Sequence, residues 1–238
     1  MKKLLFATLA ISFTLSAGAQ AFKTRKDSVS YALGVTMAET LKKSGISEYN
    51  EDLIKRAIQE HLAGKSVIDA PTSDKIYKEE TKKIAELKSL ENKKAGDAFL
   101  AENKKKKDVQ VTPSGLQYKH TQEGTGAQPD GNDKVTVHYH GTLIDGSVFD
   151  SSVQRGTPAT FGLNQVIPGW TEGLQYMKEG GKTTFYIPSD LAYGSRNQAK
   201  IPGNSTLIFE VELIKVEVVE GNAPAKPAAP APAPPAKK

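Results

Sequence analysis

The sequence predicts an α+β fold: an all-helical N-terminal region with a long connecting helix, then a C-terminal antiparallel sheet that wraps one short helix. Three observations carry this. From Asp27 to Lys107 apolar residues recur at helical spacing among Lys and Glu. After Asp108 short segments alternate apolar and polar residues between Gly, Pro and Asp turns. Within that region the stretch Gln165 to Leu174 ends a short apolar strand at Pro168-Gly169 and opens a helix. Its apolar positions, Trp170, Leu174 and Met177, fall at i, i+4 and i+7.

Taken in order, residues 1–19 read as a cleaved export signal. Lys2 and Lys3 precede an apolar run from Leu4 to Leu15, too short to span a bilayer, and Ala17-Gly18-Ala19 supplies the small residues that cleavage needs. No Cys follows the run, which excludes a lipoprotein anchor, and no later stretch is apolar enough to cross a membrane. The mature chain is thus expected outside the cytoplasm, in the periplasm, secreted or associated with the outer membrane.

Residues 20–71 are expected to hold two amphipathic helices. The first carries Tyr31, Leu33, Val35, Ala38 and Leu41, is capped by Ser28 or Ser30, and ends at Gly45. The second runs from about Asn50 to Leu62 and is closed by Gly64. A unit this small cannot bury both apolar stripes, and below about 40 residues a domain usually needs a metal, a disulfide or a partner. With no cysteine in the chain, two coverings remain: a second copy of the unit, making a homodimer, or the C-terminal domain of its own chain. Residues 72–107 read as the connecting helix, about 50 Å long at 1.5 Å per residue. It is laced with i, i+4 pairs such as Asp74/Lys78 and Glu79/Lys83. Its thin stripe of Ile76, Ile84, Leu87 and Leu90 describes a mostly solvated rod.

Residues 108–220 form the α+β domain. Leu116 to His120 reads as a strand. Val135, Val137, Tyr139 and Leu143 alternate with Thr136, His138, His140 and Thr142, and Asp145-Gly146 marks a hairpin turn. Extended chain follows at Ser147 to Ser152 and Thr160 to Leu163, then the Trp170 helix, ending near Gly180-Gly181. Lys182 to Ile187 alternates again, Asp190 to Asn204 is loop, and Leu207 to Val218 closes the sheet. Residues 221–238, mostly Pro and Ala, hold no core and read as an extended tail.

The chemistry is constrained by what is missing. The chain of 238 residues has no Cys, no Gly-x-Ser-x-Gly and no phosphate-cradling Gly-rich loop with its Lys. His138 and His140 share a strand face, but no third ligand stands at metal spacing, so neither a metal nor another cofactor is expected. The net charge of +5 includes Lys2 and Lys3, and the mild balance left does not point to nucleic acid. What the C-terminal domain offers is aromatic residues near its turns: Tyr139, Phe149, Phe161, Trp170, Tyr193 and Phe209, with Asp150 beside Phe149. Trp170, the only tryptophan, either fills a core or floors a pocket of the apolar kind that takes small ligands and peptides.

Five motifs decide how these residues are read. Val-His-Tyr-His-Gly-Thr-Leu (137–143), Val-Phe-Asp-Ser-Ser (148–152), Val-Ile-Pro-Gly-Trp-Thr-Glu-Gly-Leu (166–174), Ile-Pro-Ser-Asp-Leu-Ala-Tyr-Gly (187–194) and Leu-Ile-Phe-Glu-Val-Glu-Leu (207–213) stand in this order. Together they closely resemble the FKBP-type peptidyl-prolyl cis-trans isomerases. The N-terminal helices and signal segment are similar to those of the exported bacterial branch typified by the macrophage infectivity potentiators, whose members dimerise through such a region. The resemblance implies a half-barrel sheet around the Trp170 helix, proline-containing unfolded or nascent exported polypeptides as substrates, and macrolides as inhibitors. It places Tyr139, Phe149, Asp150, Trp170, Tyr193 and Phe209 as catalytic residues, with Phe161, Val166, Ile167 and Ile201 binding the substrate. Two departures bear on specificity: Ala159 stands where some eukaryotic members carry an aromatic, and the loop from Ser195 to Lys200 is short and polar.

On this reading Trp170, Val166 and Ile167 seat the proline ring, and Tyr193 donates its hydroxyl to a substrate carbonyl. Asp150 either orients the wall through Tyr139 or offers its carboxylate to the twisting amide. The competing function is a dimeric holding chaperone with isomerase activity secondary; a catalytically dead binding module is disfavoured because every pocket position holds a competent residue.

Overall fold

The computed structural model describes residues 22–219. The expected export signal (1–19) and Pro/Ala tail (221–238) lie outside the described residues. The chain divides at Thr81/Lys82 into two compact units.

In the N-terminal unit, α1 (Arg25–Ser44) starts one residue beyond Thr24. Thr24 and Asp27 form a reciprocal capping box, Asp27 N–H to Thr24 Oγ1 at 3.2 Å and Thr24 N–H to Asp27 Oδ2 at 3.1 Å. The cap is therefore Thr24, not Ser28 or Ser30, which lie inside the helix and hydrogen-bond back to carbonyls one turn earlier. Gly45 ends α1 in the left-handed region (φ 75°), as its missing Cβ allows. Asn50 caps α2 (Glu51–Leu62) by accepting from Leu53 N–H at 3.0 Å. Neither helix buries a single residue.

The long helix α3 (Ala70–Asn103) is uninterrupted. In the C-terminal unit its second half departs from the solvated rod that the sequence predicts. Ile84 is half-buried and Leu87 and Leu90 stay exposed, while Gly96, Leu100 and Asn103 are buried. The docked face is a different stripe: Ser89, Asn92, Gly96, Phe99, Leu100 and Asn103, spaced at three and four residues. Four of these six residues are polar or small, so hydrophobicity alone did not reveal it. Asn103 Nδ2 donates to Gln117 Oε1 at 3.0 Å, and Gln117 Nε2 donates to the Leu100 carbonyl at 2.9 Å, tying the helix end to the sheet.

The sheet comprises β1 (Gln110–Val111), β2 (Gln117–Gln122), β3 (Lys134–Leu143), β4 (Val148–Ser151), β5 (Ala159–Gly162), β6 (Lys182–Ile187) and β7 (Leu207–Glu217). Its order is β1-β2-β6-β7-β3-β4 with antiparallel pairing throughout; β5 pairs with the first half of β3 and β4 with the second. Alternation sets the faces. Val135, Val137 and Tyr139 of β3, Phe185 and Ile187 of β6, and Leu207, Phe209, Val211 and Leu213 of β7 point inward and are buried. Each such Leu, Ile, Val or Phe contributes about 1.5–3 kcal/mol when fully buried.

Against this inner face lies α5 (Pro168–Leu174). Pro168 opens it, where a missing N–H costs nothing. A Cβ on Gly169 would lie 2.5 Å from Ile187, and one on Gly173 2.7 Å from Phe185, so both glycines are what let the helix reach the sheet. The helix is shorter than its apolar spacing predicts. After Leu174 the chain tightens into i→i+3 bonds, yet Met177 remains in the core. A four-residue helix, α4 (Ser152–Arg155), begins at the last residue of the stretch read as extended, 147–152, and continues into residues that reading left unassigned.

Candidate active site

Four strands of the C-terminal sheet, α5 and two loops contribute to one open pocket of about 740 Å³. Strand β3 delivers Tyr139, β4 delivers Phe149 and Asp150, β5 delivers Phe161, and β7 delivers Phe209. The turn into α5 brings Val166 and Ile167, α5 itself brings Trp170, and the loop between β6 and β7 brings Tyr193 and Ile201. All ten residues singled out from the sequence border this one cavity.

Trp170 is only 4% exposed but still forms part of the pocket lining. Tyr139, Phe161 and Phe209 stand nearly perpendicular to its indole, with centroids 5.3, 5.6 and 5.1 Å away. This is the favoured geometry for aromatic quadrupoles and holds the indole in one orientation. Its Nε1–H is buried without a hydrogen-bond partner among the described residues. A buried donor left unpaired costs about 1–3 kcal/mol, and such groups concentrate where function requires them.

Register explains the neighbouring wall. Gly141 lies opposite Phe209 on one side and Asp150 on the other. A Cβ there would sit 2.6 Å from the Phe149 ring and 3.0 Å from that of Phe209. The glycine is the space into which those rings pack edge to face, 5.3 Å apart.

The polar side of the pocket is a closed network. The Tyr139 hydroxyl donates to Asp150 Oδ2 at 2.5 Å and accepts from Arg155 Nη2 at 2.9 Å. Arg155 also pairs with Asp150 Oδ1, and its guanidinium lies 5.5 Å from the Tyr139 ring centroid. Desolvation pushes the Asp150 carboxyl upward, but the hydrogen bonds from Tyr139 and Arg155 overcome it and hold it below the ordinary carboxylate range. Burial, then the hydrogen bond to Asp150, pushes the Tyr139 phenol above its usual value. Both Asp150 oxygens are thus occupied.

Arg155 and Ser152 are the participants that sequence reasoning missed. Ser152 Oγ accepts from Tyr139 N–H at 2.8 Å and donates to the Tyr139 carbonyl at 3.3 Å, replacing a ladder partner where β3 changes neighbours. Read as extended chain, residues 147–152 lead Arg155 away from Asp150. Only the single turn of α4, capped by Ser151 Oγ on Gln154 N–H, brings it back. The signal was present in Ser151-Ser152 followed by Gly156, a cap and a left-handed stop around one helical turn. Gln165, Arg196, Gln198 and Lys200 also line the rim.

The pocket contains one carboxylate, already paired, and no histidine. His138 and His140 hydrogen-bond through Nδ1 to Ser152 and Ser151 and do not line it. Among the described residues no group of three or more His, Cys, Asp or Glu is arranged to hold a metal ion. An aromatic bowl of this kind can bind and desolvate an apolar ring next to a polar bond, and no Ser, Cys or His side chain lines it.

The chain is similar to known proteins over most of its length. The family model described as FKBP-type peptidyl-prolyl cis-trans isomerase matches residues 125–214, and the domain amino terminal to it matches residues 26–119. The chain is 44% identical to the outer membrane protein MIP of Legionella longbeachae, over 88% of this chain and 94% of that protein. It is 47% identical to the probable FKBP-type peptidyl-prolyl cis-trans isomerase FkpA of Neisseria meningitidis, over 83% and 76%. The crystal structure of FkpA from Escherichia coli superposes with a TM-score of 0.68 at 36% identity, covering 83% of this chain and 99% of that one. With both halves matched by their family models and the pocket assembled from the five motifs, the chain belongs to the FKBP-type peptidyl-prolyl cis-trans isomerases.

Proposed function

We propose that the aromatic bowl around Trp170 catalyses cis-trans isomerisation of Xaa-Pro bonds in exported polypeptides, with catalysis by differential solvation. Rotation of a peptide bond faces a barrier of about 18–20 kcal/mol because resonance must be broken. Before proline the two isomers lie close in energy but exchange over tens to hundreds of seconds. The planar amide is the more polar and better hydrated form, so an apolar wall raises the ground state more than the twisted transition state. No bond to the enzyme forms or breaks. Trp170, Val166 and Ile167 seat the pyrrolidine ring; Phe149, Phe161, Phe209 and Ile201 exclude water. Tyr193, half-buried at the rim, donates its hydroxyl to a substrate carbonyl. Asp150 acts by holding Tyr139 in place, a role supported by the engagement of both its oxygens. The same bowl is the seat for macrolide inhibitors.

The observation that carries this reading is the convergence of six aromatic side chains and one fully paired carboxylate on a single open pocket. Because Trp170 is the only tryptophan, its emission reports pocket occupancy directly. Titrating the protein with a short Xaa-Pro peptide is expected to shift that emission saturably, and a Xaa-Ala peptide is not. Identical responses to both peptides overturn the assignment.

The domain division carries over from the sequence: residues 20–71 for dimerisation, 72–107 connecting, 108–220 for catalysis, after a signal at 1–19. No described helix is long and apolar enough to cross a membrane. Homodimerisation is supported by the uncovered faces of α1 and α2, where Tyr31, Leu33 and Leu53 are exposed and Leu62 reaches 83%. A groove of about 910 Å³ in the same unit is bordered by Leu53, Ile58, Leu62 and Val67. This apolar surface also favours the second reading, in which the N-terminal unit holds unfolded clients. Removing residues 20–70 then abolishes aggregation suppression while sparing turnover of short peptides.

A further inference from the structure

The loop between β6 and β7 lines the pocket through Tyr193, Arg196, Gln198, Lys200 and Ile201. Its neck is closed by Asn204 N–H donating to the Gly194 carbonyl at 2.7 Å. Gly203 N–H donates to Asn197 Oδ1 at 2.6 Å, bracing the loop from inside. Gly203 and Asn204 therefore form the base on which the substrate-facing residues stand.

That base is gripped from outside by α3. Asn92 Nδ2 donates to the Gly203 carbonyl at 3.0 Å, and Asn204 Nδ2 donates to Ser89 Oγ at 2.9 Å. Both helix residues lie on the C-terminal side of the Thr81/Lys82 boundary. Gly203 is buried, and a Cβ on it would lie 2.9 Å from Ser89 Oγ and collide with the Ser195 carbonyl. Gly96 has no room for a Cβ against Thr206, so the helix and the end of the loop are in direct contact. Asn204 holds a left-handed φ of 57°, which Asn tolerates better than most residues when local hydrogen bonds support it.

We propose that Ser89 and Asn92 are positioning residues for substrate recognition: the connecting helix latches the base of the loop and so fixes the outer wall of the prolyl pocket. This rests on that pocket being the substrate site. The indole floor and the Tyr139–Asp150–Arg155 network are anchored in the sheet, α4 and α5, independently of the latch. Loosening the loop thus weakens the grip on the peptide flanking proline and leaves the turnover of bound peptide alone.

The test uses the full chain with Asn92→Ala, Ser89→Ala and Asn92→Asp, the last keeping size but setting an acceptor against the Gly203 carbonyl. Phe99→Ala is the control: Phe99 packs 6.0 Å from Tyr186, on the docked face but away from the loop. The expected result is KM for an Xaa-Pro peptide raised about three- to tenfold in all three variants, with kcat within twofold of wild type. Amide exchange should quicken at residues 195–201 and not in β3 or β7. Unchanged KM, an equal rise in Phe99→Ala, or a fall in kcat alone overturns the proposal. Should Asn92→Ala fail to fold, Ser89→Ala and Asn92→Asp carry the same reading. The wild-type Trp170 emission titration separates the two ideas: no response to peptide removes the pocket assignment, whereas a normal response with unaltered variant kinetics removes only the latch.

Discussion

The phenolic oxygen of Tyr139 lies 2.5 Å from Oδ2 of Asp150, and Arg155 closes the triangle on both. A carboxylate with both oxygens engaged is an orienting group, not one reserved for the substrate. Asp150→Asn keeps an acceptor for the phenol, so it is expected to retain kcat/KM within about threefold, whereas Asp150→Ala should lose about tenfold or more, some 1.4 kcal/mol. Equal losses in the two variants, measured by peptide isomerisation, would assign the carboxylate to the reacting amide instead.

Gly141 tests whether the packing of the wall matters as such. The Gly141→Ala methyl would drive into Phe149 and Phe209. Overpacking of this kind costs about 1–3 kcal/mol of stability. The expected outcome is a folded protein with kcat/KM reduced more than tenfold, because the displaced rings fill the bowl. Thermal unfolding alongside kinetics checks both halves of the expectation.

The pH dependence follows from two shifts of opposite sign. Asp150 is held below its ordinary value, so its contribution is complete above about pH 4 and fades as pH falls through the lower folded value. Tyr139 is held above its ordinary value of about 10, so its contribution is complete below that and fades only as pH rises further. The kcat/KM profile should be flat between about pH 5 and 9, and a bell centred near neutrality would imply an acid-base step the pocket does not provide.

The uncovered helices of the N-terminal unit make a hydrodynamic prediction. Sedimentation of the mature protein should give a dimer, and removal of residues 20–70 should give a monomer with undiminished turnover of short peptides. A monomer in both forms would require another covering for Leu33, Leu53 and Leu62.

What was readable from sequence follows the physics of each signal. Strand alternation at Val135, Val137 and Tyr139 and at Leu207 to Leu213 was plain because a half-buried sheet imposes period two. The ten pocket residues were identifiable through motif resemblance, since their placement depends on register and closure that no local pattern encodes. Arg155 was hidden because a single helical turn carries almost no periodicity. The docked face of α3 was hidden for another reason: it is built on Asn92, Gly96 and Asn103, which make hydrogen bonds and close contacts where sequence reading looks for apolar residues. The Ile76, Leu87 and Leu90 stripe, conspicuous in the sequence, remains exposed.

On the proposed mechanism an apolar aromatic bowl lowers the rotation barrier by desolvation alone, without covalent or acid-base chemistry. The most direct measurement is kcat/KM for Phe149→Ala on an Xaa-Pro peptide, with far-UV and near-UV circular dichroism confirming the fold. Phe149 is half-buried at the pocket wall, so its removal admits water without emptying the core. A loss of at least tenfold with the fold intact is expected; wild-type activity in a folded Phe149→Ala protein would contradict the account.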